Sequence, residues 1–293
     1  METVYEEYNR GQDNPGRVQQ QFLLSKAFEG HPYSRSVLGL PEHLKNPRLS
    51  KLIEYYNTWY TPENMVLILV GNVNAQQISG RINAAFGRLP KKSTPERKQY
   101  SELDIKGRTQ YNAKIGYYPS VYLVYKGVPA GHPDEKALEI AMKLLSNGSN
   151  TGTLNKLVIG GELTSGVALP MTFREQGRNV VNVIPLYDEN QRRFESNKSA
   201  EKKALKAIQQ IANGEFEEWA VAAIKNNMCR DYDLQMEFNE SRANELMNAF
   251  INETDLSKVL NYKDEIMAIT NEDIKRVAKQ YLSDNYLALY IEK

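Results

Sequence analysis

The sequence predicts an α+β protein made of two related units, with helices packed on a mostly antiparallel sheet. Three observations carry that reading. Helical-period apolar patterns alternate with short apolar runs, a polar proline-punctuated stretch divides the chain, and one helix–strand unit occurs twice at a fixed offset. At 293 residues the chain can hold one large domain or two modest ones.

Val18, Phe22, Leu23, Ala27 and Phe28 recur at helical spacing and predict a helix over 15–28. Residues 31–44, with Pro32, Gly39 and Pro41, read as a loop with room for one helical turn. A second helix covers 49–60 and cannot pass Pro62. The run Met65 to Val70 is continuously apolar and predicts a strand buried on both faces, followed by a helix over 75–86. Residues 91–107 then form a charged linker, within a polar stretch extending over 89–112. Beyond it come a strand at 121–128, helices at 134–145 and 153–159, and paired strands at 167–173 and 180–187. Helices follow at 199–212, 216–250 and 270–281, and a strand at 286–291 ends the chain.

Composition narrows the classes. Lys plus Arg is 37 against 36 for Asp plus Glu, so no net field steers the chain to nucleic acid or an anionic membrane. The single cysteine, Cys229, has no internal partner, and mid-helix it reads as a buried structural thiol. No apolar run approaches the roughly 20 residues of a membrane span. The acidic, helix-like start carries no leader and reads as the middle of an element, so the natural protein is expected to begin upstream of Met1.

The repeat is the strongest signal. Aligned without gaps, Ile53 falls on Ile274, Tyr60 on Tyr281, Glu63 on Asp284 and Asn64 on Asn285, an offset of 221 residues. That distance is too long for a solenoid unit and suits a duplicated domain. The domains expected are therefore 1–90, the end of a first copy, and 108–293, a nearly whole second copy.

His31-Pro32-Tyr33 with Gly39, then Tyr55-Tyr56 to Tyr60-x-Pro62-x-Asn64-Met65 and the run ending Val70-Gly71-Asn72-Val73, resembles the pitrilysin/insulinase family. The resemblance implies duplicated α/β domains of the processing-peptidase type, closing on a peptide or protein substrate. It also implies a zinc metallopeptidase whose metal is held by H-x-x-E-H and a distant glutamate, with a metal-bound water attacking the peptide carbonyl. No H-x-x-E-H occurs here, so no catalytic residue is expected in this chain, which alone should be inactive and bind little zinc. Val4-Tyr5-Glu6-Glu7-Tyr8, with Asp13-Asn14-Pro15 after it, resembles the family helix bearing the third ligand. The match places that ligand at Glu7, with Glu6 the alternative if the register slips by one.

His132-Pro133-Asp134-Glu135-Lys136 has part of the motif's shape, but Pro133 and Asp134 suit a helix's first turn and lysine replaces the second ligand. Asn155 and Ser165 stand where the family resemblance leads one to expect a substrate-grasping arginine and tyrosine, which leaves substrate-binding residues unassigned. Tyr187 and Arg174 are the nearest substitutes, though both suit ordinary strand and turn roles. Gly160-Gly161 marks a turn and not a phosphate cradle. The alternative is a non-catalytic family partner subunit or a peptide-binding scaffold. Only the resemblance points to a location, a bacterial periplasm or cell envelope.

Overall fold

The computed structural model describes residues 2–293. In chain order its elements begin α1 (Glu2–Gln12), α2 (Pro15–Ala27), α3 (Pro41–Lys45), α4 (Leu49–Trp59), α5 (Ala75–Phe86), β1 (Arg108–Lys114), β2 (Ser120–Lys126), α6 (Glu135–Leu145) and α7 (Thr153–Ile159). They continue with β3 (Leu163–Thr172), β4 (Gly177–Pro185), the short hairpin β5 (Tyr187–Asp188) and β6 (Arg193–Phe194), α8 (Asn197–Asn213) and α9 (Glu218–Met236). Last come α10 (Asn239–Asn252), α11 (Leu256–Leu260), α12 (Tyr262–Ala268), α13 (Asn271–Tyr281) and β7 (Tyr286–Glu292).

Five strands form one sheet in the order β1-β7-β2-β4-β3. Only the β1–β7 pair is parallel, so the mostly antiparallel sheet expected from the sequence is what forms. Alternate side chains of each strand point to opposite faces. Val121, Leu123 and Tyr125 of β2 join Ile140, Ala204 and Ile274 in a core under α6, α8 and α13. Val124, with Leu287 and Leu289 of β7, faces the other way and is covered by Leu23 and Ala27 of α2 and by Phe28 just after it. The sheet therefore takes one of its two covering layers from α2, near the start of the chain and before the polar stretch 91–107.

Local chemistry sets the helix ends. Ser196 accepts from the Ser199 N–H at the start of α8, and Gly214 closes that helix at φ 80°, where a side chain would be strained. Thr270 and Asp273 cap each other at the start of α13. At the start of β4, a Cβ on Gly177 would lie 2.1 Å from the Val128 carbonyl oxygen, so only glycine fits against the chain leaving β2.

Three expectations change. The long helix over 216–250 is two, because Phe238 is extended and starts α10 afresh, turning it away from the core that holds α9. The polar stretch before residue 112 ends in a strand, β1, whose exposed, polar residues gave no apolar alternation to read. The run 65–70 forms no strand: no backbone hydrogen bond ties it to another strand among the described residues.

That third difference has a counterpart within the chain. The offset of 221 carries α1 into α9, α3 onto the first residues of α12, α4 onto α13, and residues 65–71 onto β7. Helix α2 lands on α10 with a shift of about three residues. The order of elements before and after Tyr60 is thus that before and after Tyr281, extending the sequence repeat to about seventy residues in each copy.

Candidate functional site

Glu7 sits midway along α1, a helix with Glu2 in its first turn and Arg10 in its last, the charge order that suits the helix dipole. Asn14 then caps α2 by accepting from the Arg17 N–H, and Pro15 takes the first helical position. This fold-back brings the Arg17 guanidinium to 4.0 Å from the Glu7 carboxylate, with both side chains more than half exposed. Glu6 is also exposed. Among the described residues no three of His, Cys, Asp or Glu are close enough together to hold a metal ion. The donors present therefore do not by themselves fit a zinc site.

The histidines are committed elsewhere or lie alone. His31 is buried: its Nε2 is 2.9 Å from Glu175 Oε2, and its Nδ1 accepts from the Tyr33 N–H. It ties the amino-terminal loop to the turn between β3 and β4. His132 accepts from the Asp134 N–H at Nδ1 in the turn before α6, whose N-cap position is held by Asp134. His43 lies on α3, away from both.

Asn155 closes the loop before α7, its Oδ1 accepting from the N–H groups of Asn147 and Gly152. Ser165 lies in the edge strand β3, and Tyr187 is partly exposed against Phe194. Arg174 pairs with Glu175 and reaches Glu253 at 3.6 Å, so it is occupied by ion pairs within the fold.

Two buried polar clusters escaped the sequence reading. Glu201 of α8 accepts both guanidinium bonds of Arg108, at 2.7 and 2.8 Å, and the hydroxyls of Tyr286 and Tyr290. Burial alone would push its carboxyl up, but the bonds from Arg108, Tyr290 and Tyr286 outweigh that and hold it below the usual range. Tyr290 is pushed up to about 12 by burial and by the same carboxylate. Arg178 is fully buried: it donates to the Ala27 carbonyl at the end of α2, to Glu102 of the linker and to the Gly177 carbonyl, and lies over the Phe28 ring. No local signal announces either cluster, since Arg108 and Glu201 are 93 residues apart and Arg178 and Ala27 are 151 apart.

The repeat places Glu7 on Met228. Met228 is buried on the side of α9 that meets α6, and it lines a cleft of about 870 Å³ together with Glu139 and Lys143 of α6. The position of Glu7, unlike that of Glu6, is thus one that faces another helix in the second copy.

A family model described as "Peptidase M16 inactive domain" matches residues 48–228, more than half of the chain. The chain belongs to that family. The pitrilysin/insulinase resemblance read from the first ninety residues is borne out. A curated relative, the zinc protease PqqE of Helicobacter pylori, is 23% identical over 266 residues, covering 89% of this chain and 59% of the relative. The chain thus spans less than two thirds of that relative's length. Among solved structures, a protease from Helicobacter pylori superposes with a TM-score of 0.86 at 19% identity, over 100% of this chain and 71% of that one. The periplasmic protease PqqL of Escherichia coli gives a TM-score of 0.76 at 15% identity, over 99% of this chain and 33% of that one. These likenesses fix the fold as that of M16-like peptidases. No described helix is long and apolar enough to cross a membrane.

Proposed function

We propose that this chain forms part of a zinc-dependent metalloendopeptidase acting on peptides or proteins, with Glu7 as the third metal ligand and the 108–293 unit as the second, substrate-enclosing domain. Residues 1–90 are the end of the first domain, and 91–107 the linker. The single observation that carries the ligand assignment is the mapping of Glu7 onto Met228, a buried position opposite α6 in the second copy. A carboxylate held at the equivalent point in the first copy faces the helix that corresponds to α6, where the remaining ligands belong. Its present exposure, with only Arg17 at 4.0 Å, leaves it free to turn toward such a helix. The zinc-protease relative supports the reaction class, and the periplasmic structural neighbour supports a cell-envelope location.

A second reading, a non-catalytic partner or scaffold of the same family, is favoured by the match to an inactive domain and by the absence of a three-donor cluster among the described residues. Peptidase and zinc assays separate the two. On the first reading, residues 1–293 alone cleave nothing, whereas the native polypeptide carrying them cleaves peptides in a chelator-sensitive way and loses zinc on Glu7→Gln. Chelator-sensitive cleavage by residues 1–293 alone, or full zinc content in Glu7→Gln, contradicts it.

A further inference from the structure

We propose that the cleft between residues 102–105, the turn joining β3 to β4 and the end of α13 binds a carboxylate group, either a peptide's terminal one or that of a small acid. Its residues all lie within this chain and none belongs to the Glu7 assignment, so the site stands apart from the proposed function.

The cleft holds about 680 Å³, and its lining includes Glu102, Lys126, His132, Glu175 and Gln176. That is the size of a small-ligand pocket and far more than one water needs. Gln176 is the decisive residue. It is only 4% exposed, and its Oε1 accepts from Arg178 Nη2 at 3.3 Å. A guanidinium can only donate, so the amide is oriented with its Nε2 turned away from Arg178. That buried Nε2 has no acceptor among the described residues. A buried donor left unpaired costs about 1–3 kcal/mol, which an acceptor in the cleft removes. His132 adds a second donor. Its Nδ1 accepts from the Asp134 N–H, which leaves the ring proton on Nε2.

Charge decides the class of acceptor. Glu102 takes Arg178 at one oxygen, 2.9 Å away, and Lys126 at the other, 2.6 Å away, so two cations share one carboxylate. The other ions around the cleft cancel. Asp104 pairs with Lys106, and Arg174 with Arg97 balances Glu175 with Glu253. One positive charge is left over, beside the amide donor that Arg178 orients. A carboxylate brings one negative charge and several lone pairs, whereas a phosphate brings nearly two charges and a neutral carbonyl none. The Lys126 side chain is 58% exposed and free to turn from Glu102 to the ligand, while the fully buried Arg178 keeps Glu102 paired.

Nitrogen-15 NMR of the 293-residue chain tests this at constant ionic strength, with acetate, N-acetyl-tri-alanine, its C-terminal amide and inorganic phosphate as probes. The Gln176 side-chain amide and the His132 ring should shift saturably with acetate and the peptide acid, and not with the peptide amide. A peptide terminus as the source predicts that the peptide acid binds about tenfold or more tighter than acetate, and equal affinities assign a small acid. Gln176→Glu keeps an acceptor for Arg178 but replaces the donor with a negative charge, and should weaken binding about tenfold or more. Lys126→Met leaves Glu102 paired with Arg178 and should weaken binding about threefold to tenfold without lowering the melting temperature. If Gln176→Glu does not fold, Lys126→Met alone decides. The proposal is overturned if neither carboxylate gives a saturable shift, or if the peptide amide binds as well as the acid. Tighter binding of phosphate, or binding that the folded variants leave unchanged, overturns it equally.

Discussion

Helices α4 and α13 carry closely similar apolar spacing and end in the same Tyr-x-x-acidic-Asn turn, but one is bare and the other buried. Ile274 is 0% exposed where Ile53 is 51%, and Tyr281 is 8% where Tyr60 is 59%. Pattern alone makes a helix amphipathic; it becomes core only when a sheet lies beneath it. In the second copy a five-stranded sheet lies beneath α13, and the buried Glu201 cluster and the partly buried pair of Asp134 with Arg276 and Tyr281 lie with it. Residues 65–71, at the positions that correspond to β7, join no sheet among the described residues.

The largest effect should fall where the second copy buries charge. Glu201→Ala leaves Arg108 and two tyrosine hydroxyls without their acceptor and should cost about 3–5 kcal/mol in urea unfolding of the isolated chain. Next comes the direct contrast between the copies. Ile274→Ala should cost about 2–5 kcal/mol, and Ile53→Ala less than about 0.5 kcal/mol in the same chain. An Ile53→Ala loss as large as that of Ile274→Ala would show that α4 is already covered.

Acid should act on the second copy first. Arg276 holds the Asp134 carboxyl below its usual range despite burial, with help from Tyr281, and Glu201 is likewise depressed. A carboxyl depressed by folding stabilises the fold above its unfolded pKa, and that contribution fades as pH falls through the folded value. Thermal stability should therefore be level above about pH 5 and drop below about pH 4, with Asp134→Asn flattening part of the drop. The smallest effect belongs to Glu7→Gln in isolated 1–293. An exposed carboxylate 4.0 Å from an exposed arginine should change stability by less than about 0.5 kcal/mol.

Much of this fold was legible in the sequence because it is written in local periodicity. The helices at 15–28, 134–145 and 270–281 and the strand ending the chain all follow from apolar spacing and capping residues. The break at Phe238 and the strand Arg108–Lys114 were not legible, since neither has an apolar signature. The apolar run at 65–70 predicted a buried strand, but the structure forms none there, because pairing depends on neighbours that lie outside the pattern. Glu7 is proposed as a ligand only through its resemblance to a family helix. The reason to prefer it over Glu6 became visible when the repeat set it on the buried Met228. Arg178 and Glu201 could not be found, because their partners are joined by the fold and not by the sequence.

The proposal that these residues work only as part of a larger assembly is tested most directly by native mass spectrometry of the protein from its own source. The expected result is a species well above the 33.5 kDa of this chain, whether by fusion or by a bound subunit. A stable monomer at 33.5 kDa that keeps Ile53 and residues 65–70 exposed would contradict it.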